Sequence, residues 1–312
     1  MRNQIIHGGV GRHETFTPRY GWLKKGFDAA KVDGNVFSAP DAIERLGVGK
    51  NMVRSIRFWC LAFRLLTNEG GHTNKGQKGA LVPTKLGNKL IDDDGWDPYL
   101  EDIASLWLLH RQIFGPPFQA ASWSLAFNDL KISMFDIKQL GRALISASQQ
   151  YEKLMSLSEN SYEKDASCII RMYASASQES SFDIESPFSQ IAIIREAGEP
   201  KTYRFDLTAK QSLPSLIFTA ACFSYAYHTQ PNQRSLSLHK ILFDFNSPGI
   251  VFKISETEAG RHLDRAARLI DGVDFVETMG YRALQFNRKP DELFWEALEN
   301  YYSSNRKRNI EI

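Results

Sequence analysis

The sequence has 312 residues, of which 43% are hydrophobic and 24% charged, and its formal net charge is +2. This composition is typical of a soluble globular protein, and the length allows two or three domains. No apolar run reaches membrane-spanning length, and the first residues lack the apolar core of a signal peptide. The three cysteines have no metal-ligand spacing, so we expect a cytoplasmic protein with reduced thiols and no membrane contact.

Positive charge is concentrated in the first part of the chain. Residues 1–91 hold 15 Lys and Arg against 6 Asp and Glu, a net charge of +9. The remaining 221 residues hold 23 against 30, a net charge of −7. Such an asymmetry is expected where one part of a protein binds phosphates, although an uneven division by chance remains open.

The segment HETFTPRY, residues 13–20, is called the arm below, and a helix is predicted from Tyr20 to Ala30. Ionisable and aromatic residues are unusually dense here, which allows a catalytic or phosphate-binding constellation. His13 would be a general acid or base, Glu14 a metal ligand or base, and Arg19 and Lys24 clamps on phosphate charge. The alternative is a capping arm whose polar side chains bond to the backbone.

Residues 38–91 show the pattern of a winged helix-turn-helix. A short helix at Asp41–Leu46 precedes a turn and a recognition helix at Met52–Leu66, whose apolar residues repeat at three and four positions. The second helix of such a motif enters the major groove with its N-terminal residues toward the bases. The loop Gly70–Gly79 would be the wing. The predicted DNA-binding residues are Lys50, Asn51, Arg54, Ser55, Arg57, Lys75 and Lys78.

Four aspartates, Asp92, Asp93, Asp94 and Asp97, resemble a cation cluster. Their order is not that of an EF-hand loop, because the glycine and glutamate that such a loop requires are missing. We interpret them as a solvated turn, with Asp97 capping a helix that begins at Pro98.

The rest of the chain is predicted to form a helical region, followed by a second segment with the order of helices and hairpin that is typical of a winged helix. Two short strands are predicted at Ser189–Arg195 and Lys201–Leu207, and a hairpin at Val273–Phe286 follows three helices. We therefore predict a mainly α (α+β) protein with an N-terminal winged helix-turn-helix, a helical middle region and a C-terminal winged-helix-like domain. The predicted domains are 1–115, 116–207 and 208–312.

Several motifs resemble one bacterial family over nearly the whole chain. They include HETFTPRYGWLKKGFDAA, GVGKNMVRSIRFWCLAFRLL, DPYLEDIASLWLLHRQIF, KDASCIIRMYAS and ETMGYRALQF. The family is that of the SspB-like DNA nickases of bacterial single-strand DNA phosphorothioation (Ssp) defence systems. The resemblance implies a protein that cuts one strand of double-stranded DNA. It also implies partner proteins that install sulfur: a cysteine desulfurase, an ATPase and a sulfur-transfer enzyme.

Two functions remain open from the sequence. The first is a strand-nicking endonuclease in phosphorothioate modification and anti-phage defence, with the arm as its catalytic site and a divalent metal, Mg²⁺ or Mn²⁺, held by Glu14. The second is a non-catalytic winged-helix protein that recruits the modification enzymes or regulates their genes. No familiar nuclease motif decides between them, and a scaffold that binds the ATPase is a weaker third possibility.

Overall fold

The structure is a computed structural model that describes residues 4–5, 8–70, 79–174, 186–278 and 280–310. The described chain is mainly helical with small antiparallel sheets, which confirms the predicted α+β class at that level. It divides into two compact units: an N-terminal unit of residues 4–113 and 117–205, and a C-terminal unit of residues 114–116 and 206–312. The first two predicted domains therefore contribute to one unit, and the division into three domains stays a prediction.

The N-terminal unit is built from nine helices and two hairpins within its described residues. Its helices pack large aromatic side chains in the core, among them Trp59, Trp107 and Trp123, which are fully buried. In chain order the elements are α1 (Trp22–Val32), α2 (Ala42–Leu46), α3 (Lys50–Ala62), β1 (Leu66–Asn68), β2 (Leu81–Pro83), α4 (Lys85–Ile91), α5 (Ile103–Gln112), α6 (Ala121–Asp129), α7 (Ile137–Ser148), α8 (Glu152–Met155), α9 (Glu159–Tyr173), β3 (Ile194–Ala197) and β4 (Glu199–Phe205).

The predicted order of short helix, turn, longer helix and hairpin is present. Gly47 ends α2 in the left-handed region (φ 59°), which a glycine adopts at little cost, and α3 follows after two residues. Strands β1 and β2 pair antiparallel, with Leu66 opposite Pro83. Helix α3 differs from the predicted Met52–Leu66 because it ends at Ala62, ahead of a left-handed residue at Arg64 (φ 56°).

The start of α5 was predicted wrongly. Asp97 does not cap this helix; Asp102 does, by accepting a hydrogen bond from the backbone N–H of Ala104. The Asp97 carboxylate instead accepts bonds from the N–H groups of Glu101 and Asp102 and from the Ser105 hydroxyl. An aspartate before a proline is a good capping candidate in sequence, but here it orders the turn before the helix.

The C-terminal unit packs five helices around a three-stranded sheet in its described part. The sheet order is β5-β7-β6 with antiparallel pairs, so β7 lies in the middle. The strand β5 was not predicted, and neither was the helix α12, which carries Pro248 in its first turn. The elements are α10 (Ser215–Thr229), β5 (Ser235–Ser237), α11 (Leu238–Phe243), α12 (Pro248–Phe252), α13 (Glu256–Ala267), β6 (Val273–Thr278), β7 (Tyr281–Phe286) and α14 (Pro290–Ile310).

None of the helices in the described ranges combines the length and the apolar character that a membrane crossing requires.

Candidate functional site

The arm is tied to helices that come much later in the chain. Just before it, Gly9 forms a parallel bridge with Ala120, at the start of α6. The backbone N–H of Gly11 donates to the Asp165 carboxylate on α9 at 2.8 Å. At the far side, the indole N–H of Trp59 on α3 donates to the Phe16 carbonyl at 3.0 Å. The arm is thus fixed between α9 and the helix predicted to read DNA.

His13 is the buried anchor of the arm. Its ring is 1% exposed, and its Nε2 lies 2.7 Å from Oδ1 of Asp165. The aromatic rings of Trp59 and Trp123 pack around it. Burial disfavours the charged ring, but Cys168 and Asp165 outweigh this effect and raise the pKa of His13 to about 10. His13 is therefore an imidazolium, and its charge pairs with the Asp165 carboxylate. This pair holds the arm to α9.

Glu14 lies on the surface next to the imidazolium. Both Glu14 and Thr15 adopt left-handed backbone conformations (φ 50° and 68°), which are uncommon for residues other than glycine. The Glu14 carboxylate is 3.4 Å from the Arg54 guanidinium of α3, and the two side chains are 32% and 51% exposed. A predicted catalytic residue and a predicted DNA-binding residue therefore meet on one solvent-exposed face.

The two predicted phosphate clamps, Arg19 and Lys24, differ in how readily their side chains could contact a phosphate. The guanidinium of Arg19 lies over the rings of Phe16 and Trp22 at 5.6 and 5.5 Å, and its residue is only partly buried. Lys24 in α1 is engaged, since its ammonium bonds to Asp28 at 2.7 Å and Asp93 at 2.6 Å. Burial lowers the pKa of Lys24, but these two hydrogen bonds outweigh it and the net shift is upward. As a clamp, Lys24 would first have to leave both carboxylates.

The predicted DNA-binding residues fall on different faces of α3. Lys50, Asn51 and Arg54 are exposed at its N-terminal end, and no acidic residue lies in its first turn. Ser55 is fully buried, and Arg57 is partly buried, which lowers its pKa. In this structure Ser55 therefore faces the core. Lys75 and Lys78 lie outside the described residues.

Sequence reasoning missed Asp165 and Ser122. Ser122 donates to the second oxygen of Asp165, so this carboxylate serves Gly11, His13 and Ser122 together. Asp165 stands on the buried face of α9, between apolar residues at helical spacing. A carboxylate at such a position needs a charged or hydrogen-bonding partner, and that signal could have identified it.

A metal site is not evident in the described part of the chain. No three His, Cys, Asp or Glu side chains there lie close enough together to hold an ion. In the predicted aspartate cluster, Asp92 bonds to Lys31 at 2.6 Å and Asp93 bonds to Lys24. These carboxylates are neutralised by lysines, as expected for a solvated turn.

Comparison with known proteins places the chain in a family. The sequence matches the family described as "Protein of unknown function (DUF4007)" over residues 10–302. A crystal structure of SspB with magnesium bound superimposes with a TM-score of 0.87 and 32% identity, over 95% of this chain and 88% of that chain. A second SspB crystal structure gives a TM-score of 0.88 and 32% identity, over 96% and 90%. No curated protein sequence matches significantly. The predicted resemblance is confirmed: the chain belongs to the DUF4007 family and is a relative of SspB over almost its whole length.

Proposed function

We propose that this protein is a DNA-binding, strand-nicking endonuclease that acts in bacterial DNA phosphorothioate modification and anti-phage defence. Its relationship to SspB supports a role in that modification system. In this proposal the segment from α2 to β2 is a winged helix-turn-helix that binds duplex DNA, and the C-terminal unit carries a winged-helix-like domain that contacts other proteins. The protein partners would be the cysteine desulfurase, the ATPase and the sulfur-transfer enzyme that complete the modification.

One observation carries the proposal: the arm lies on the helix predicted to read DNA. The Glu14 carboxylate pairs with Arg54 of α3, and the indole N–H of Trp59, on the same helix, donates to the Phe16 carbonyl in the arm. Lys50 and Asn51 are exposed at the start of α3, where unpaired backbone N–H groups and the helix dipole favour phosphates. A duplex held by this helix end would therefore have a carboxylate beside its backbone.

The residues can be given roles that follow from their surroundings. Arg54 would leave Glu14 for a DNA phosphate or base, because a phosphate oxygen accepts from a guanidinium as well as a carboxylate does. The released Glu14 would take a proton from the attacking water as that water forms its bond to phosphorus, while the bond from phosphorus to the 3′ oxygen breaks and that oxygen takes a proton from solvent water. Arg19 would contact a neighbouring phosphate. His13 is a positioning residue in this scheme, since its buried ring fixes the backbone of Glu14.

A divalent metal does not fit the residues around Glu14. The carboxylate has a guanidinium as its neighbour, and among the described residues Glu14 belongs to no group of three or more His, Cys, Asp or Glu side chains that could hold an ion. We therefore assign no step to a metal ion. Since one SspB crystal structure contains magnesium, Mg²⁺ and Mn²⁺ belong in the assay.

The alternative function is a non-catalytic winged-helix protein that recruits the modification enzymes or regulates their genes. Two observations favour it. The His13 ring is buried and paired with Asp165, and the described residues form no group of three His, Cys, Asp or Glu side chains that could hold a metal ion. A protein that only binds DNA would need the exposed residues of α3 and would use the arm as a structural support.

Nicking of supercoiled plasmid tests the proposal. The purified protein is incubated with plasmid and Mg²⁺, Mn²⁺ or EDTA, with and without the partner proteins, and open-circle product is measured. We expect nicking by the wild type and at least a hundredfold loss in Glu14→Gln, because removal of a general base typically costs 10²–10⁴-fold. The DNA affinity of this variant should equal or exceed that of the wild type, because Arg54 no longer has to leave a carboxylate. The matched control is Glu152→Gln, which removes an exposed carboxylate from α8.

The outcomes separate the two functions. Tight duplex binding without nicking under any of these conditions would support the recruiter and remove the endonuclease. Full nicking by Glu14→Gln would remove Glu14 from the mechanism.

A further inference from the structure

A serine, a histidine and a glutamate that have no part in the proposed nicking reaction meet in the C-terminal unit. The Ser215 hydroxyl lies 3.0 Å from Nδ1 of His262, although the two residues are 47 positions apart. Glu258 precedes His262 by one turn of α13, and its Oε1 is 3.8 Å from Nε2 of the ring. A hydroxyl within hydrogen-bond reach of an imidazole, with a third group behind the ring, is the arrangement of an activated nucleophile.

The surroundings of His262 decide which ring nitrogen carries the proton. The residue is 8% exposed, and its Nε2 is buried without a hydrogen-bond partner among the described residues. A proton on Nε2 is attracted by the Glu258 carboxylate, whereas a lone pair at that position would be repelled by it. Nδ1 is therefore the acceptor, and the Ser215 hydroxyl donates to it. A general base requires this direction, because the ring then takes the hydroxyl proton.

The charges around His262 keep the ring in its basic form. The Glu258 carboxylate is shared, since its Oε2 pairs with Arg261 while Oε1 lies toward His262. Burial, together with the charges of Arg261 and Arg265, lowers the pKa of His262 to about 4. The imidazole is thus neutral at pH 7 and able to accept a proton. Because it is a weak base, an activated ester is the appropriate substrate for a test.

The position of Ser215 also supplies donors for a developing negative charge. Ser215 is the first residue of α10, a helix of 15 residues that begins after Pro214. Among the described residues no side chain caps this end, and the first turn holds no acid. The first N–H groups of a helix lack intrahelical acceptors and, with the helix dipole, favour an anion. Ser215 is partly exposed, whereas the base behind it is buried.

We propose that Ser215, His262 and Glu258 form a catalytic site for acyl transfer, with a small carboxylic ester as its substrate. The Ser215 oxygen bonds to the carbonyl carbon while its proton moves to Nδ1 of His262, and Glu258 stabilises the imidazolium. The bond from that carbon to the ester oxygen then breaks, and the leaving alcohol takes the proton from Nδ1. Water attacks the acyl group in the same way. Its proton passes through Nδ1 to the Ser215 oxygen as the acid is released.

Covalent labelling of the whole protein tests the nucleophile. The probe is a fluorophosphonate, from whose phosphorus an activated serine oxygen displaces fluoride, and mass spectrometry identifies the labelled peptide. We expect the label on Ser215. We expect none on Ser235, a partly exposed serine of the same unit whose hydroxyl lies 3.4 Å from that of Tyr281. A label on another residue alone, or no label under conditions that label a known serine hydrolase, overturns the proposal.

Hydrolysis of 4-nitrophenyl acetate tests the roles of the residues. Ser215→Ala removes the nucleophile, and His262→Gln removes the base but keeps a polar side chain in the buried place. Each should lower the rate by roughly a hundredfold or more, the usual contribution of such groups. The matched control Ser235→Ala should hydrolyse the ester like the wild type. Circular dichroism establishes that each variant is folded.

The result does not depend on the proposed nicking activity, because neither assay uses DNA or a metal ion. The proposal is overturned if Ser215→Ala hydrolyses the ester as fast as the wild type, whether or not the protein nicks plasmid. If a variant does not fold, the labelling arm still decides, since it needs only the wild-type protein.

Discussion

Two segments of this molecule share an order of elements and differ in charge. In the N-terminal unit, α2 and α3 precede the β1–β2 hairpin; in the C-terminal unit, α11 to α13 precede the β6–β7 hairpin. Helix α3 starts with Lys50 and Asn51 and has no acid in its first turn. Helix α13 starts after Ser255, a side-chain cap, with Glu256 and Glu258 in its first turn.

The difference shows which of the two segments is open to an anion. Acids in the first turn stabilise a helix through its dipole, and they occupy the place where a phosphate would lie. In α13 the Glu256 carboxylate is also held at the start of the helix, because it pairs with Arg282 of β7 at 3.0 Å. A shared order of helices and hairpin is therefore a weaker guide to DNA contact than the charges at the start of one helix.

The two units also contain buried histidines in opposite states. His13 lies 2.7 Å from Asp165, and its pKa is raised to about 10. His262 on α13 is 3.8 Å from Glu258; burial, with Arg261 and Arg265 nearby, lowers the pKa of His262 to about 4. At neutral pH the first is charged and the second is neutral, although each has a carboxylate as a neighbour.

Removing the two carboxylates should give the largest contrast. Asp165→Asn leaves a buried imidazolium without its partner and should lower the free energy of unfolding by about 3–5 kcal/mol. Glu258→Gln leaves a neutral histidine and should cost less than about 1 kcal/mol. Urea unfolding followed by circular dichroism measures both. Equal losses would show that the two histidines do not differ in charge.

Titration tests the same contrast with all side chains left in place. His13 binds its proton more tightly when folded, so its contribution is complete below pH 6.5 and is lost as pH rises toward about 10. His262 binds its proton more weakly when folded, so its contribution is present above pH 6.5 and is lost as pH falls toward about 4. Melting curves of His13→Gln and His262→Gln should each lose one of these slopes.

DNA binding should depend on α3 and not on α13. Arg54→Ala should cost about 1–3 kcal/mol if the side chain is bidentate to a guanine, with relaxed specificity at one base pair. If it contacts a phosphate, the loss should be similar for all sequences and the salt dependence should become shallower. Fluorescence anisotropy with labelled duplexes measures affinity. Arg265→Ala, on the exposed face of α13, is the matched control, and a loss of affinity there would contradict the comparison.

An acid at the start of α3 should give the smallest effect on stability. Asn51→Glu should stabilise the helix by about 0.3–1 kcal/mol through its dipole and yet weaken DNA binding. Glu256→Gln makes the opposite change in α13 and should lower stability by a similar amount without creating DNA affinity. If Asn51→Glu leaves DNA binding unchanged, the N-terminal end of α3 is not the contact.

Local signals were sufficient for much of the N-terminal segment. The apolar repeat of Val53, Ile56 and Cys60 identified α3, and Gly47 marked the turn before it. The end of α3 was placed too late because an arginine in a left-handed position, Arg64, gives no signal in the sequence. The family resemblance was also found from sequence motifs and is confirmed by the comparisons.

The contacts that organise the site could not be predicted from local patterns. His13 and Asp165 are 152 positions apart, and only the packing of α9 against the arm brings them together. The strand β5 is three residues long and was not predicted, because the apolar residues that follow it, Leu238, Ile241 and Leu242, repeat at the three- and four-residue spacing of a helix. Which arm residue is buried and which is exposed depends on these tertiary contacts.

The anchoring of the arm has a consequence for the order of folding. During synthesis the arm emerges well before α6 and α9, which hold it through Ala120 and Asp165. Contacts of such long sequence separation form slowly, because a large loop has to close before they form. The earliest part of the arm to leave the ribosome is thus among the last to reach its native position. Helix α3 can be complete while Glu14 is still away from it, so under the proposed function a nascent chain would bind DNA before it could cut it.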